Sequence, residues 1–164
     1  MHIRDATEPD LPAIVDIYNQ SIPAGRSTAD TVPVTVADRV EWFRRFDPAR
    51  RPLWVAEIDG VMVGWIGLTS FYAGRPAYDA TAEVSTYIAT AYHQRGIGTL
   101  LKQRMIERCP DLGVTTLISV AFDHNDGTRR INEKLGFVEA GHLLEIAEIN
   151  GEKIGVIYSL KRVG

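Results

Sequence analysis

Among 164 residues there is a single cysteine, Cys109, so no intrachain disulfide can form, and the lone thiol fits a reducing compartment. No apolar run approaches the ~20 residues that span a bilayer, and Met1-His2-Ile3-Arg4-Asp5 has none of the apolar core of a signal peptide. A cytoplasmic protein with no membrane partner is therefore expected. Charge of one sign is equally scarce. A net charge of −3 with both signs interspersed excludes a general nucleic-acid binder, although Arg95, Lys102, Arg104, Arg129, Arg130 and Lys134 suggest a local basic cluster. Repeats and low-complexity tracts are missing. His93, His124, His142 and Cys109 lack the short paired spacings of a metal set, so no metal is expected. What remains is 45% apolar content, enough for one domain over residues 1–164 to bury a core without staples.

The first strand is expected over His2 to Arg4. Thr7 with Asp10, and Pro9 between them, signal a helix start, after which Leu11, Ile14, Val15, Tyr18 and Ile22 share a face. The small polar stretch Pro23 to Pro33 reads as a loop bordering a substrate site. Thr35 and Asp38 repeat the start signal ahead of Val40, Trp42, Phe43 and Phe46. Leu53 to Ile58 and Met62 to Phe71 are strands joined by Asp59-Gly60, a pair that favours a tight hairpin. Tyr72 to Ala80 is a loop. Thr115 to Phe122 is a further strand, and Asn125 or Asp126 starts a helix through Leu135 with Gly136 as its terminus. Val138 to Ile149 and Lys153 to Leu160 flank a second hairpin signal, Asn150-Gly151; Val156-Ile157-Tyr158 suits core or a dimer seam. The order β, α, α, β, β, β, α, β, α, β, β describes a mixed sheet with helices on its faces.

Thr81 to Leu101 organises this array. Ala82, Val84, Thr86 and Ile88 alternate with Glu83, Ser85, Tyr87 and Ala89, as a strand with both faces covered requires. From Gly98 to about Arg108 the period becomes helical, with Leu100, Leu101, Met105 and Ile106 toward the core. Between them, His93-Gln94-Arg95-Gly96-Ile97-Gly98 is a glycine turn at a helix N-terminus, a place that suits phosphate. It is no P-loop, because Thr99 and Leu100 follow Gly98 where Lys and Ser/Thr are needed. A dinucleotide fingerprint is a weak match, because Leu101 stands at the third glycine and the strand lies mid-chain after a hairpin. Two readings remain, a diphosphate on the amides from about Gln94 to Thr99 with Arg95 adding charge, or a plain strand-to-helix turn.

This turn, with Asn125 and Glu133-Lys134-Leu135-Gly136-Phe137 after it, resembles the GNAT superfamily of acetyl-CoA-dependent N-acetyltransferases. Tyr18-Asn19, Arg39 with Trp42, Gly74-Arg75-Pro76-Ala77-Tyr78 and Thr81-Ala82-Glu83 are similar to its phosphinothricin and methionine sulfoximine/sulfone N-acetyltransferase branch. The resemblance implies a mostly antiparallel mixed sheet of about seven strands with helices on both faces, and acetyl-CoA as cosubstrate. It implies a small amine acceptor and a homodimer. It also implies roles: Glu83 as general base; Thr86, Tyr87 and Ile88 on a splayed strand meeting thioester and pantetheine; Gln94, Arg95, Gly96, Ile97, Gly98 and Thr99 around the pyrophosphate. Arg75 is the candidate for a substrate carboxylate or phosphinate, which its planar fork matches. Tyr78 contacts substrate or anchors its loop, Asn125 meets pantetheine or merely caps a helix, and Lys134 reaches coenzyme A or is solvated. Where the family often has a tyrosine acting as general acid, this chain has Asn132; His93 and Gln94 also depart from the usual turn, and Lys153-Ile154-Gly155-Val156 lacks the branch's aromatic and aspartate. Two alternatives stand beside this reading: a protein or peptide N-acetyltransferase, and a coenzyme A binding module without catalysis.

Overall fold

The computed structural model describes residues 1–164. Helix starts follow the local signals. Asp10 accepts from the Thr7 backbone N–H at 2.7 Å ahead of α1 (Leu11–Asn19), and the Thr35 hydroxyl accepts from Asp38 N at 3.2 Å at the start of α2 (Val36–Phe43). These bonds satisfy groups that a helix end leaves unpaired. Strands β1 (His2–Asp5), β2 (Leu53–Ile58) and β3 (Val61–Ser70) come next in space, β2 and β3 joined by Asp59 and Gly60 with φ of 51° and 77°. β4 (Thr81–Ile88) leads into α3 (Ile97–Arg108), then β5 (Thr116–Phe122), α4 (Asp126–Lys134), β6 (Val138–Ile149) and β7 (Glu152–Arg162).

The seven strands form one sheet in the order β1-β2-β3-β4-β5-β7-β6, antiparallel throughout except for the β4–β5 pair. Helices cover both faces. Ile66, Leu68, Ala82 and Val84 pack with Leu101 and Met105 of α3, while Val55 and Trp65 pack with Ile14 and Ile17 of α1 on the opposite side. No helix is long and apolar enough to cross a membrane.

Several local expectations change. Leu100 is 37% exposed, because it sits well round the α3 cylinder from Leu101 and Met105, and α3 begins at Ile97 rather than Gly98. Phe46 lies beyond the end of α2, and Ile17 joins the core. Lys102 is not part of a basic surface: it is 3% exposed. Val156 and Ile157 are buried and β7 is paired on both edges, so that strand is core; the exposed apolar side chains Leu143, Leu144 and Ile146 lie on the edge strand β6.

Candidate active site

β4 and β5 pair only at their starts. The register Thr81↔Thr116, Ala82↔Leu117, Glu83↔Ile118 ends there, although β4 runs on to Ile88 and β5 to Phe122. Beyond Glu83 the two strands part, which leaves the Thr86 to Ile88 backbone paired with β3 alone. The Thr86 hydroxyl is buried without a hydrogen-bond partner. An orphaned polar group of this kind carries a desolvation cost unless a ligand meets it.

The glycine turn opens at the end of this gap. His93 Nε2 donates to the Ile88 carbonyl at 2.8 Å, so the histidine at the head of the turn clips it to the end of β4. Gln94 and Gly96 both take left-handed angles, φ 61° and 78°. Gly96 precedes α3, and the first intrahelical bond runs from Leu100 N to Gly96 O at 3.0 Å. The amides of Ile97, Gly98 and Thr99 therefore lie in the first turn, where the helix supplies no acceptor and the dipole is positive. Arg95 is exposed and lies 5.0 Å from the Tyr92 ring centroid.

Asn125 caps α4, its Oδ1 accepting from Thr128 N at 3.1 Å, while its Nδ2 stands 3.5 Å from Ser27 Oγ. Lys134 is exposed in the last turn of α4. Asn132, by contrast, is buried. Lys102 Nζ donates to Asn132 Oδ1 at 2.8 Å and to Ser119 Oγ at 3.1 Å, and Asn132 Nδ2 donates to the same serine oxygen at 3.1 Å. Burial without a carboxylate pushes the Lys102 pKa down to about 8.

On the other face of β4 stand Glu83, Ser85 and Tyr87. Glu83 is partly buried, its carboxylate makes no hydrogen bond within the protein, and burial raises its pKa above the ordinary 4.5. Its cross-strand neighbour is Thr69. Thr69 and Ser85 both line a cavity of about 160 Å³. The walls are aromatic: Trp65 stacks on Tyr87 at 4.7 Å, Tyr18 lies 5.0 Å from Tyr87, and Trp42 meets Trp65 edge-on at 5.6 Å. Gly67 forms part of the lining, and a Cβ there would come within 2.9 Å of the Phe46 ring. Arg39 is the cavity's one charged lining residue, 4.5 Å above the Tyr18 ring and bonded to Asp30 at 2.9 Å.

The segment between α1 and α2 ties the parting strands together. Tyr87 OH donates to Ser27 O at 3.1 Å, and His124 Nε2, just past β5, donates to Gly25 O at 3.0 Å. The expected substrate-bordering loop thus spans the two sides of the gap. Arg75 and Tyr78 are not brought into the cavity. Arg75 is exposed without a partner, and the Tyr78 ring joins Phe71 and Tyr72, 5.5 Å from each. The missed residues are Trp65, Thr69 and Ser85, together with a position for Arg39; alternation carried the signal, since Trp65, Gly67 and Thr69 of β3 and Ser85 and Tyr87 of β4 all line the cavity.

This architecture has counterparts. YwnH of Bacillus subtilis (strain 168), a candidate phosphinothricin acetyltransferase by name, is 44% identical over 165 aligned positions, 100% of this chain and 98% of its own. An L-methionine sulfoximine/L-methionine sulfone acetyltransferase of Pseudomonas paraeruginosa is 31% identical over 93% of this chain and 87% of its own. The crystal structure of a GNAT superfamily phosphinothricin acetyltransferase from Sinorhizobium meliloti, in complex with AcCoA, superposes with a TM-score of 0.92 at 25% identity, covering 99% of this chain and 88% of that one. Residues 11–137 match the Acetyltransferase (GNAT) family itself. With the parted strands, the glycine turn and these relatives in agreement, the chain belongs to the GNAT acetyltransferase family and is an acetyl-CoA-dependent N-acetyltransferase.

Proposed function

We propose that the protein acetylates the amino group of a small amino-acid-like compound of the phosphinothricin or methionine sulfoximine/sulfone type, with Glu83 as general base. The observation that carries this reading is the position of Glu83, a partly buried, unbonded carboxylate at the last paired residue before β4 and β5 separate, beside the aromatic cavity. Acetyl-CoA supplies the acyl group: the amine nitrogen bonds the carbonyl carbon, the C–S bond breaks, and the thiolate leaves to become a thiol. For its part, Glu83 takes the proton of the attacking amine, directly or through one water. The Thr86 to Ile88 backbone and the orphaned Thr86 hydroxyl suit the thioester and the pantetheine arm; the amides from Gln94 to Thr99 with Arg95 suit the pyrophosphate, and Asn125 and Lys134 are assigned to the pantetheine arm and to coenzyme A. Arg75, exposed on the Tyr72 to Ala80 segment, is assigned to the acceptor's carboxylate by its planar donor fork alone, with Tyr78 holding that segment through its aromatic neighbours.

The protein is further read as a homodimer, with the exposed Leu143, Leu144 and Ile146 of β6 as the apolar surface available for it. The activity is tested by thiol release from acetyl-CoA across a panel of amines. Turnover is expected with methionine sulfone or phosphinothricin and not with a peptide N-terminus. Turnover confined to peptides would replace the small-molecule reading with the protein-modifying one, and thiol release with no amine in the panel would remove it.

A further inference from the structure

When the C–S bond of acetyl-CoA breaks, a thiolate departs that needs a proton. Across the sheet from Glu83, on the α3 face, lies a buried polar cluster that the chemistry above leaves idle. Ser119 is the first residue of β5 beyond Ile118, the last one paired with β4. Its Oγ accepts from Lys102 Nζ and from Asn132 Nδ2, each at 3.1 Å, and Asn132 Oδ1 accepts from Lys102 Nζ at 2.8 Å. The cluster therefore ties α3 and α4 to the point where the two strands part. Gly98 marks the same place, since a Cβ there would lie 3.6 Å from both Ile131 Cδ1 of α4 and Ile88 Cγ1 at the end of β4. Lys102 follows Gly98 by one turn on the same face of α3, and Asn132 follows Ile131. Within the cluster, donors outnumber acceptors. One ammonium hydrogen, one amide hydrogen and the Ser119 hydroxyl hydrogen have no acceptor in the protein. No charged side chain pairs with the ammonium: β5 brings Ser119, α4 brings Asn132, and the turn after α4 brings the Phe137 ring, 5.3 Å away. A buried cation without a counterion is costly unless an anion comes to it.

On the placement of the thioester arm in the β4–β5 gap proposed above, we infer that Lys102 meets the departing thiolate as a cation and gives it its proton. The Lys102 N–H bond breaks as the S–H bond of coenzyme A forms, which leaves a neutral amine that recovers a proton from water after the product departs. Asn132 has no proton to release near neutrality, and the Ser119 hydroxyl holds its proton far more tightly than an ammonium does. These two are positioning residues that aim the ammonium. Burial lowers the Lys102 pKa to about 8, close to the ~8.5 of an ordinary thiol, and a match of that kind lets the proton pass with little driving force against it.

The test reads the bound thiol and needs no acceptor. Coenzyme A is titrated with pH in complex with the protein, its thiolate followed by ultraviolet absorbance against a desulfo-coenzyme A blank. Near neutral pH the thiolate-to-thiol ratio of bound coenzyme A is expected to stand at least about tenfold above that of free coenzyme A. Lys102→Met and Lys102→Gln are expected to return it to the free value. The glutamine keeps a donor for Ser119 and Asn132, so a lysine that only braced the helices would leave the ratio unmoved in that variant. In turnover, wild-type kcat is expected to decline as pH rises through about 8, where the ammonium is lost, and Lys102→Gln to lack that limb. A wild-type ratio equal to that of free coenzyme A, or a raised ratio that survives in Lys102→Gln, overturns the proposal. The placement of the arm is read separately. Thr86→Val is expected to weaken coenzyme A about tenfold and to leave the affinity of its phosphorylated ADP half unchanged. Coenzyme A affinity untouched by Thr86→Val would remove the placement and the proposal with it, whereas that loss beside a thiol ratio equal to the free value keeps the arm in the gap and removes Lys102 alone.

Discussion

The two faces of β4 are equipped differently, and each carries one cation. On the α1/α2 face Arg39 is only partly buried, stacked on two aromatic rings and matched by Asp30. On the α3 face Lys102 is sealed in the core with a serine, an asparagine and the Phe137 ring, 5.3 Å away, and no carboxylate. The surroundings follow the same division. The cavity is built from side chains, whereas the turn before α3 offers backbone amides and needs its side chains mainly to get out of the way. A face built from side chains is sensitive to each substitution in it, and a face built from amides is sensitive chiefly to the backbone angles that aim them.

The largest effect is expected on the cavity face. Glu83→Gln removes the proposed base while keeping size and hydrogen-bonding capacity, and kcat is expected to fall by roughly 10²- to 10⁴-fold. Acetyl-CoA affinity, assigned in the proposal to the other face, should stay within about twofold by calorimetry. The pH profile supplies a second check. Burial raises the Glu83 pKa above 4.5, so the acid limb of kcat/KM lies above the ordinary carboxylate range, with activity lost as pH falls through it; that limb vanishes in the variant. An unchanged profile would separate Glu83 from the proton transfer and leave the cavity without a reacting group.

Lys102 ranks next, and it probes stability. Its folded pKa is about 8 against 10.5 for a free lysine. Below pH 8 both states carry the proton and the folded state bears the full cost of the buried charge. Between 8 and 10.5 the unfolded chain holds the proton that the folded chain has released, so stability gains with rising pH, by roughly 3 kcal/mol over the whole window. Tyr18, Tyr87 and Cys109 have raised pKa values and work in the opposite direction at high pH, so the quantity to measure is a difference. Denaturant unfolding of wild type and Lys102→Met at pH 7 and pH 9.5 should show the variant's relative stability declining as pH rises. A constant difference would mean that Lys102 keeps its proton in the folded state across this range and that the two cations contrast in packing alone.

Legibility in the sequence divides along the same line. Turn chemistry, helix starts and strand alternation are local, and Thr35 with Asp38, Asp59-Gly60 and Gly96 each announce their own conformation. The strand order and the parting of β4 from β5 are not local; the family resemblance implied the splay but no order, and no alternation pattern shows where pairing stops. Lys102 illustrates a different limit. Its place, three residues before Met105, lies on the buried arc of α3, but lysines are rarely buried, so composition suggested a surface cluster. Arg39 was visible as a marker beside Trp42, yet its pairing with Asp30, which a loop folds back onto it from nine residues upstream, was not. Arg75, the arginine the sequence offered for substrate, stays exposed outside the cavity.

The smallest expected effects lie in the turn and bear on the claim that its amides, not its side chains, are what matter. Gly96 sits at φ 78°, where a Cβ costs about 1–2 kcal/mol, so Gly96→Ala should lower Tm and weaken acetyl-CoA binding together by disturbing the aim of the following amides. Gln94 is the converse case. It already occupies φ 61° with a Cβ, and its side chain is exposed and unbonded, so Gln94→Gly relieves strain while adding freedom to the unfolded chain. The two terms oppose, and the net gain is expected to be within about 1 kcal/mol, seen as a small rise in Tm with acetyl-CoA affinity unchanged. A marked loss of affinity in Gln94→Gly would show that the side chain itself touches the pyrophosphate. In that event the turn is no longer a backbone device, and the two faces of β4 differ in charge compensation rather than in what they are made of.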